Sequence, residues 1–333
     1  MDYSIIIPTF GRPDEVSTIL KSLSELNYVN YEVIIVDGSP DKVLHPVIDE
    51  FKNNLNLVYL HEPLLGISDS RNLGSENAKG EYLIFFDSDC IIPSDYLNKV
   101  SSFLEKNKVD GFGGPDAAHE SFSSVLKAIN YAMTSFLTTG GIRGKKKHVG
   151  KFQLRGFNMG IKADVFKNVN GYSGLHVSED IDLSIRLHKA GYVTELIPDA
   201  YVYHKRKSNF YKFYKQMFLY GKGRIDLQVR HGDALKLVHM FPSFFVLYLI
   251  FGTTLSFFSP ILFLLFISSF GLYFTLVLIT STILNKSLYV GILSIFSSFI
   301  CLTAYGLGMM KNIFTRLILK KGSDSLRYDI LKE

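Results

Sequence analysis

The sequence has no tryptophan, few cysteines and only a small excess of positive charge. Its 333 residues include two cysteines and carry a formal net charge of +5. Cys90 and Cys301 are far apart, so they provide neither a disulfide framework nor the ligand spacing of a structural zinc site. The mild net charge does not indicate a nucleic-acid-binding protein, and we expect no nucleic-acid partner.

The first residues also do not predict a signal peptide. The chain begins Met1-Asp2-Tyr3 and continues directly into a strand-like run. A secretory signal would need a basic region followed by a long apolar one, and neither is present at this end. We therefore expect the N-terminal domain to remain in the cytosol.

Charge is scarcest between residues 235 and 310, where Lys236 and Lys286 are the only fully charged residues. Before this stretch, charged and apolar residues are mixed as in a soluble domain. The change in composition predicts a domain over residues 1–230 and a transmembrane region over residues 235–310.

The apolar region is long enough for several membrane passes, since about 20 residues cross a bilayer. Residues 237–284 have room for two passes, with breaks expected near Gly252 and at Ser259-Pro260. Residues 288–310 have room for one more. The simple count is three.

A basic tail, residues 311–333, follows the last apolar stretch. Cytosolic ends favour such charges, yet three passes starting from the cytosol would leave this tail outside. Either one of the early segments is re-entrant and the chain crosses twice, or the charge preference is overridden. The sequence leaves two and three helices open.

Strand-like and helix-like segments alternate along the N-terminal part. This alternation predicts an α/β fold with a mainly parallel sheet covered on both faces. The predicted strands are YSIIIPTF (3–10), YEVIIVDGS (31–39), NLVYLHE (56–62) and EYLIFFDSD (81–89). The predicted helices include GRPDEVSTILKSLSEL (11–26), SDSRNLGSENAKG (68–80) and SEDIDLSIRLHKAG (178–191).

Polar side chains follow the ends of three predicted strands. Thr9 and Asp37 end two of them, and Asp87 and Asp89 follow the strand that ends at Phe86. In parallel sheets, ligands bind beyond the carboxyl ends of the strands. Carboxylates there are also common as solvated surface groups, so the pair alone does not establish a metal site.

The helix predicted over residues 178–191 begins with Ser178 as its N-cap, followed by Glu179 and Asp180. The acids would complement the helix dipole whether or not they also do chemistry. Two basic stretches stand out elsewhere. Residues 143–151 form either a solvated loop or a phosphate-binding loop, and residues 204–230 mix basic and aromatic residues as in a helix at a membrane surface.

Taken together, these motifs resemble family 2 glycosyltransferases, whose catalytic domain has the GT-A fold, a Rossmann-like nucleotide-sugar-binding domain. The resemblance covers about residues 3–230. It rests on IIIPTFGRP, VIIVDGSP, GISDSRNLG, FFDSDC, RGFNMGIKADVF and SEDIDLSIRL in this order. The membrane segments also resemble those of exopolysaccharide and cell-surface-glycan transferases.

The resemblance implies roles for particular residues. Asp180 would be the catalytic base. The metal ligands for Mg²⁺ or Mn²⁺ would be Asp89, Asp87 and His204. The residues that bind the nucleotide sugar would be Pro8, Thr9, Arg12, Asp37, Arg71, Asp87, Ser88 and Glu179.

The implied reaction transfers one sugar from a UDP- or GDP-sugar to a hydroxyl of a membrane acceptor, expected to be a lipid-linked glycan. A base opposite the leaving diphosphate implies inversion at the anomeric carbon. Processive synthases carry Gln-x-x-Arg-Trp, whereas this chain has Leu219 and Tyr220 in place of the arginine and tryptophan, which favours single-sugar transfer. The implied location is the cell membrane, with several passes and the catalytic domain facing the cytoplasm.

Two other functions remain open at this stage. One is a synthase that adds a sugar to a polyprenyl or dolichyl phosphate, where the acceptor is already an anion and needs no base. The other is a non-catalytic membrane scaffold that binds glycans.

Overall fold

The computed structural model describes residues 2–117, 119, 121–140, 151–175, 177–205 and 209–320. The chain folds as two compact units. The first contains Met1–His119 and Gly144–Lys205, and the second contains Glu120–Arg143 and Arg206–Glu333. The long helix that precedes the apolar region therefore groups with the second unit, whereas the sequence suggested a boundary near residue 230.

The first unit is an α/β domain. Its strands are β1 (Tyr3–Thr9), β2 (Tyr31–Asp37), β3 (Leu57–His61), β4 (Tyr82–Phe86), β5 (Cys90–Ile91), β6 (Gly111–Gly113), β7 (Asp116–Ala117), β8 (Asn158–Lys162), β9 (Thr194–Leu196) and β10 (Val202–His204). Its helices are α1 (Pro13–Ser24), α2 (His45–Phe51), α3 (Ile67–Glu76), α4 (Tyr96–Leu104), α7 (Ala163–Asn168) and α8 (Glu179–Lys189).

Seven of the strands form one mainly parallel sheet, in the order β3-β2-β1-β4-β8-β6-β9. Only β8 runs antiparallel to its neighbours, β4 and β6. The side chains of β1 alternate between two cores, one containing Ile5 and Ile7 and the other containing Ile6. Burial on both faces explains the unbroken apolar, β-branched runs, and the α/β prediction is confirmed.

A second, small sheet orders its strands β5-β10-β7. In it, His204 of β10 pairs with Cys90 of β5 in antiparallel register. This pairing brings the residue after Asp89 next to a residue more than 100 positions later in the sequence. The sequence does not predict the pairing of β5 with β10, because each of these strands is too short to show a strand pattern.

The second unit is helical. Its helices are α5 (Ser124–Thr134), α6 (Phe136–Thr139), α9 (Phe210–His231), α10 (Leu237–Ser256), α11 (Pro260–Asn285) and α12 (Leu288–Asn312), and α12 continues into a π-helix, Ile313–Ile318. Three of these segments are long and apolar enough to cross a membrane: Leu237–Ser256, Pro260–Asn285 and Leu288–Ile318. The break expected near Gly252 does not occur, because Gly252 lies inside α10 and lets Phe266 of α11 approach its backbone.

Two features of the sequence fall largely outside the described residues. Of the basic stretch at residues 143–151, only Lys151 is described. Of the basic tail, residues 321–333 lie outside the described part of the chain.

Candidate active site

The carboxyl ends of β1, β2 and β3 meet at one edge of the sheet. Thr9 pairs with Asp37, and Asp37 pairs with His61 in parallel register. The side chain of Asp37 is fully buried. One carboxylate oxygen accepts hydrogen bonds from the backbone N–H and hydroxyl of Ser39, and the other accepts one from the Tyr59 hydroxyl at 2.9 Å.

These contacts hold the Asp37 carboxylate in one orientation at the strand edge. Thr9 lies beside it, and its hydroxyl oxygen is buried without a hydrogen-bond partner among the described residues. A buried hydroxyl without a partner is costly, so this edge is suited to a polar ligand. Tyr59 and Ser39 were missed by sequence reasoning. The strand register, which the sequence does not reveal, is what brings Tyr59 to Asp37.

Arg71 lies at the centre of the site and is only 1 % exposed. It extends from α3, and its two terminal nitrogens donate to Asp87 Oδ1 at 2.8 Å and to Glu179 Oε1 at 2.7 Å. One guanidinium therefore links the loop after β4 to the start of α8. Asp87 is 31 % exposed, so its carboxylate still reaches the mouth of the site.

The surroundings of Arg71 explain how a cation is tolerated there. Its guanidinium carbon lies 5.2 Å from the centre of the Tyr172 ring, and a side chain at Gly156 would collide with its terminal nitrogens. Burial alone would lower the pKa of Arg71, but Tyr172 and the two carboxylates raise it above its ordinary value. The guanidinium thus remains charged and stacked in a fixed position.

Burial has the opposite effect on the pKa of Glu179. Burial raises the pKa of its carboxyl from 4.5 to about 7, although Arg71 favours the ionised form and opposes the shift. The charge of the neighbouring Asp180 adds to the increase. Glu179 therefore changes protonation near neutral pH.

Asp89, Cys90 and His204 form a compact group of possible metal ligands. Asp89 Oδ1 lies 3.1 Å from His204 Nε2, and Cys90 Sγ lies with them inside 4.8 Å. The His204 ring stacks on Phe157 with centres 4.9 Å apart, which fixes its plane. The predicted ligands Asp89 and His204 are thus brought together from distant parts of the sequence.

The donor set at this point fits a divalent cation. A carboxylate oxygen and an imidazole nitrogen about 3 Å apart can bind one ion at ordinary ligand distances of about 2 Å. Cys90 donates to the Phe157 carbonyl oxygen at 3.6 Å, so its thiol has another partner. Asp87, the other predicted ligand, is oriented by Arg71 rather than by Asp89 or His204.

Asp180 lies in the first turn of α8. Its carboxylate accepts from the backbone N–H of Gly156 at 3.2 Å and of Ile181 at 2.7 Å. These two N–H donors hold the carboxylate in a fixed orientation at the N-terminus of α8. Ser178 does occupy the N-cap position, but it has φ 63° and its side chain makes no capping bond, so the expected serine cap is wrong.

The remaining predicted residues lie around this centre. Pro8 is buried within β1, and Arg12 is exposed at the start of α1, where it pairs with Glu15 at 3.1 Å. The Ser88 hydroxyl donates to the same Glu15 carboxylate, at 3.4 Å. Glu15, Tyr172, Gly156 and Phe157 were not singled out from the sequence, because they act only through neighbours that folding supplies.

Comparison with known proteins identifies the family of the α/β domain. Residues 4–167 match the family model described as glycosyl transferase family 2. The chain carries a family 2 glycosyltransferase domain. An uncharacterised glycosyltransferase of Haemophilus influenzae is 30% identical over 191 residues, which is 55% of this chain and 61% of that protein. This chain therefore spans less than two thirds of that relative.

A second relative is the succinoglycan biosynthesis protein ExoA of Rhizobium meliloti. It is 25% identical over 245 residues, covering 72% of this chain and 73% of the relative. Among solved structures, the mannosyltransferase PcManGT from Pyrobaculum calidifontis, in complex with GDP-Man and Mn²⁺, covers 94% of this chain and 87% of its own. Its TM-score is 0.61 at 14% identity, a likeness that shows the fold. The expected GT-A-like fold is confirmed.

Proposed function

We propose that the protein transfers a single sugar, with inversion, from a nucleotide sugar to a hydroxyl of a lipid-linked glycan. The observation that supports this most is the arrangement around Arg71. One buried cation joins Asp87 of the metal motif to Glu179, the neighbour of the proposed base. Donor-binding and acceptor-activating groups are therefore held in one rigid network.

The nucleoside of the donor would bind at the edge where β1 and β2 end. Asp37 is already oriented there, and the buried Thr9 hydroxyl lacks a partner that a ligand can supply. Pro8, Arg12 and Ser88 lie around the same edge and would contact the donor. The Pyrobaculum calidifontis enzyme of similar fold binds GDP-Man, and uridine and guanosine donors are both compatible with the proposal.

The diphosphate would lie near Asp89, Asp87 and His204, which would hold Mg²⁺ or Mn²⁺. When bound, the cation supplies positive charge that stabilises the departing diphosphate. Asp89 and His204 provide the hard oxygen and nitrogen donors that such ions accept, and Phe157 keeps the imidazole in plane. Arg71 positions Asp87 and offers a further fixed positive charge nearby.

Asp180 would take the proton of the attacking hydroxyl. Two backbone N–H groups orient its carboxylate, which can accept the proton of the acceptor hydroxyl. A base on the side of the sugar opposite the diphosphate leads to inversion. A polyprenyl-phosphate acceptor would not need this base, and that difference makes the two reactions distinguishable.

The acceptor is proposed from the helical unit. Its apolar segments would hold the protein in the cell membrane with several passes, and the catalytic domain would face the cytoplasm. An active site anchored in this way is suited to acceptors that are themselves held in the membrane. The relative named for succinoglycan biosynthesis supports a role in cell-surface polysaccharide assembly.

The metal assignment can be tested with Asp89→Asn. We expect the variant to lose metal-dependent donor binding and at least about 100-fold in transfer, because a metal ligand is removed. Calorimetric titration with UDP- and GDP-sugars, with and without Mn²⁺, measures the binding. Asp49→Asn, at an exposed carboxylate paired with Lys52, is the control and should bind donor normally. Unchanged donor affinity in Asp89→Asn would refute the assignment.

A further inference from the structure

We propose that α5 and α6, residues 124–139, form a re-entrant element that enters the hydrocarbon layer of the membrane and leaves it on the same side. Its Phe136 side chain would contact lipid chains. The inference rests on the proposed crossing of the membrane by α11. At 11 and 4 residues, α5 and α6 are too short to cross a bilayer themselves, so hydropathy does not reveal them as membrane segments.

This segment groups with the helical unit, although the chain before and after it belongs to the α/β unit. In the helical unit, Ile129, Ala132 and Met133 of α5 lie in one core cluster with residues of α9 and α12. No Asp, Glu, Lys or Arg occurs between Lys127 and Arg143. The segment can therefore enter hydrocarbon without burying a charge, and the charged residues at its two ends can lie on one side of the membrane.

Two side chains of α11 locate the segment along that helix. The hydroxyl oxygens of Tyr131 in α5 and Thr280 in α11 are 2.5 Å apart. The Tyr273 hydroxyl of α11 donates to the backbone carbonyl of Leu137 in α6 at 3.1 Å. Between Tyr131 and Leu137 the chain therefore runs along α11 from near its end toward its middle.

The position of Tyr273 in α11 sets the depth of α6. Helix α11 has 26 residues, and about 20 residues cross a bilayer. Every stretch of about 20 residues within Pro260–Asn285 has Tyr273 at least about 9 Å of helix from each end. Since a tyrosine side chain is shorter than this distance, the Leu137 carbonyl bonded to it lies in the same layer. A helix at the aqueous surface could not make this contact while α11 crosses.

The break between α5 and α6 is suited to surroundings without water. Where a helix ends in hydrocarbon, its free carbonyls need donors from within the protein. The Thr138 hydroxyl donates to the carbonyl of Ala132, and the Thr139 hydroxyl donates to that of Met133 at 3.1 Å. These are carbonyls from the last turn of α5, and water would serve them if the break were in solution. Threonine hydroxyls serve them here, as in helices broken within membranes.

Phe136 is the large apolar side chain that this element leaves exposed, at 67%. It begins α6, next to the residue that Tyr273 contacts. Leu272, beside Tyr273 in α11, is 63% exposed. The α10–α11 hairpin, residues 237–285, contains no Asp, Glu, Lys or Arg, so its exposed side chains would face lipid chains when it crosses. A phenyl ring in the same layer would meet the same lipid chains.

The absence of tryptophan from the chain provides the test, because a single introduced tryptophan fluoresces without background from others. Full-length variants are reconstituted in phosphatidylcholine vesicles whose acyl chains carry bromine, a contact quencher, either near the headgroups or near the bilayer centre. Phe136→Trp probes α6 with a conservative change at an exposed position. Leu272→Trp in the middle of α11 is the positive control, and Val29→Trp, 95% exposed in the α/β unit, is the negative control.

We expect bromine near the bilayer centre to quench Phe136→Trp and Leu272→Trp to a similar degree and to leave Val29→Trp unchanged. Quenching of Phe136→Trp only by bromine near the headgroups, or not at all, while Leu272→Trp is quenched from the centre, would overturn the inference and leave the crossing of α11 intact. If neither position is quenched, α11 does not cross, and the proposed membrane anchoring falls together with the inference. Sugar transfer is not measured, so the result is independent of the proposed reaction.

Discussion

The two units of the molecule differ in where they contain buried charged side chains. In the α/β unit, Arg71 is almost completely buried and two carboxylates contact it. In the α10–α11 hairpin there is no charge at all, and polar contacts are made by hydroxyls, such as Tyr248 with Ser269. Buried charge costs free energy in either place, so where it is kept it points to a task that neutral groups cannot perform.

A second ion pair sharpens this comparison. Asp226 and Arg316 join α9 to the end of α12 in the helical unit, and both are largely buried. This pair lies where the helices leave the apolar region and not within the hairpin. In the helical unit this charged pair lies outside the apolar helices of the hairpin, whereas in the α/β unit Arg71 and its two carboxylates lie within the candidate site.

The largest effect is expected from removing the central cation. Arg71→Met would remove the partner of the largely buried Glu179 and of the partly exposed Asp87, and loss of one partner of a buried ion pair typically costs about 3–5 kcal/mol. We expect a large drop in the free energy of unfolding of the α/β unit together with loss of donor binding. Denaturant titration followed by intrinsic fluorescence and hydrogen exchange would measure it.

Arg12→Met is the matched control, because Arg12 is exposed and its pairing with Glu15 is a surface one. It should change stability by less than about 1 kcal/mol. Equal destabilisation by the two variants would mean that the burial of Arg71 has no special importance, and the comparison would fail.

The next effect concerns chemistry rather than stability. Asp180→Asn is nearly isosteric, and its side-chain oxygen can still accept one of the two backbone hydrogen bonds. Loss of a general base costs on the order of 10²- to 10⁴-fold in rate. Turnover should fall by this amount while the dissociation constant of the donor changes little.

Steady-state kinetics and donor titration of the same preparation separate the alternatives. A variant that keeps most of its transfer rate would favour an acceptor that is already an anion, such as a polyprenyl phosphate. A parallel loss of donor affinity would instead place Asp180 at the diphosphate.

Much of the site could be predicted from the sequence because parallel strands bring their ends to one edge. Thr9, Asp37 and Asp87 each follow an unbroken apolar run, and the runs were long enough to locate. The helix that carries Asp180 was equally clear from its periodicity and its acidic start. For these residues, the positions of the predicted strands and helix along the sequence were sufficient to place them in the site.

Contacts between distant segments could not be predicted in the same way. Cys90 reaches His204 only because two very short strands pair, and Tyr59 reaches Asp37 only through the strand register. In the helical unit, hydropathy alone gave three equivalent spans. The difference between α11 and α12 lies in which neighbours cover them, and a hydropathy pattern does not contain that information.

A smaller effect is expected from placing a charge in the hairpin. Leu272 lies at the middle of α11 and is exposed, so Leu272→Lys should cost roughly 2.5–3.5 kcal/mol of membrane insertion. Leu237, exposed at the first residue of α10, provides the control, since the amine of a Leu237→Lys variant can reach water from the end of the helix. The fraction of protein that resists carbonate extraction compares the two variants. Equal loss would indicate that the middle of α11 lies no deeper in the membrane than the start of α10.

The smallest effect should appear as a pH dependence. The pKa of Glu179 is raised by burial to about 7, so between pH 4.5 and 7 the unfolded chain loses this proton before the folded chain does. The free energy of unfolding therefore falls as pH rises through this window, by at most about 3 kcal/mol, and this contribution is constant on either side of it. Glu179→Gln lacks the titration, so its stability relative to the parent should improve from pH 4.5 to 7 and then level off. Thermal unfolding across this range, without donor or metal, measures the difference, and Glu25→Gln at an exposed site serves as control. Parallel curves for the parent and Glu179→Gln would mean that Arg71 keeps Glu179 ionised throughout, and that the charges around Arg71 are already balanced before any ligand binds.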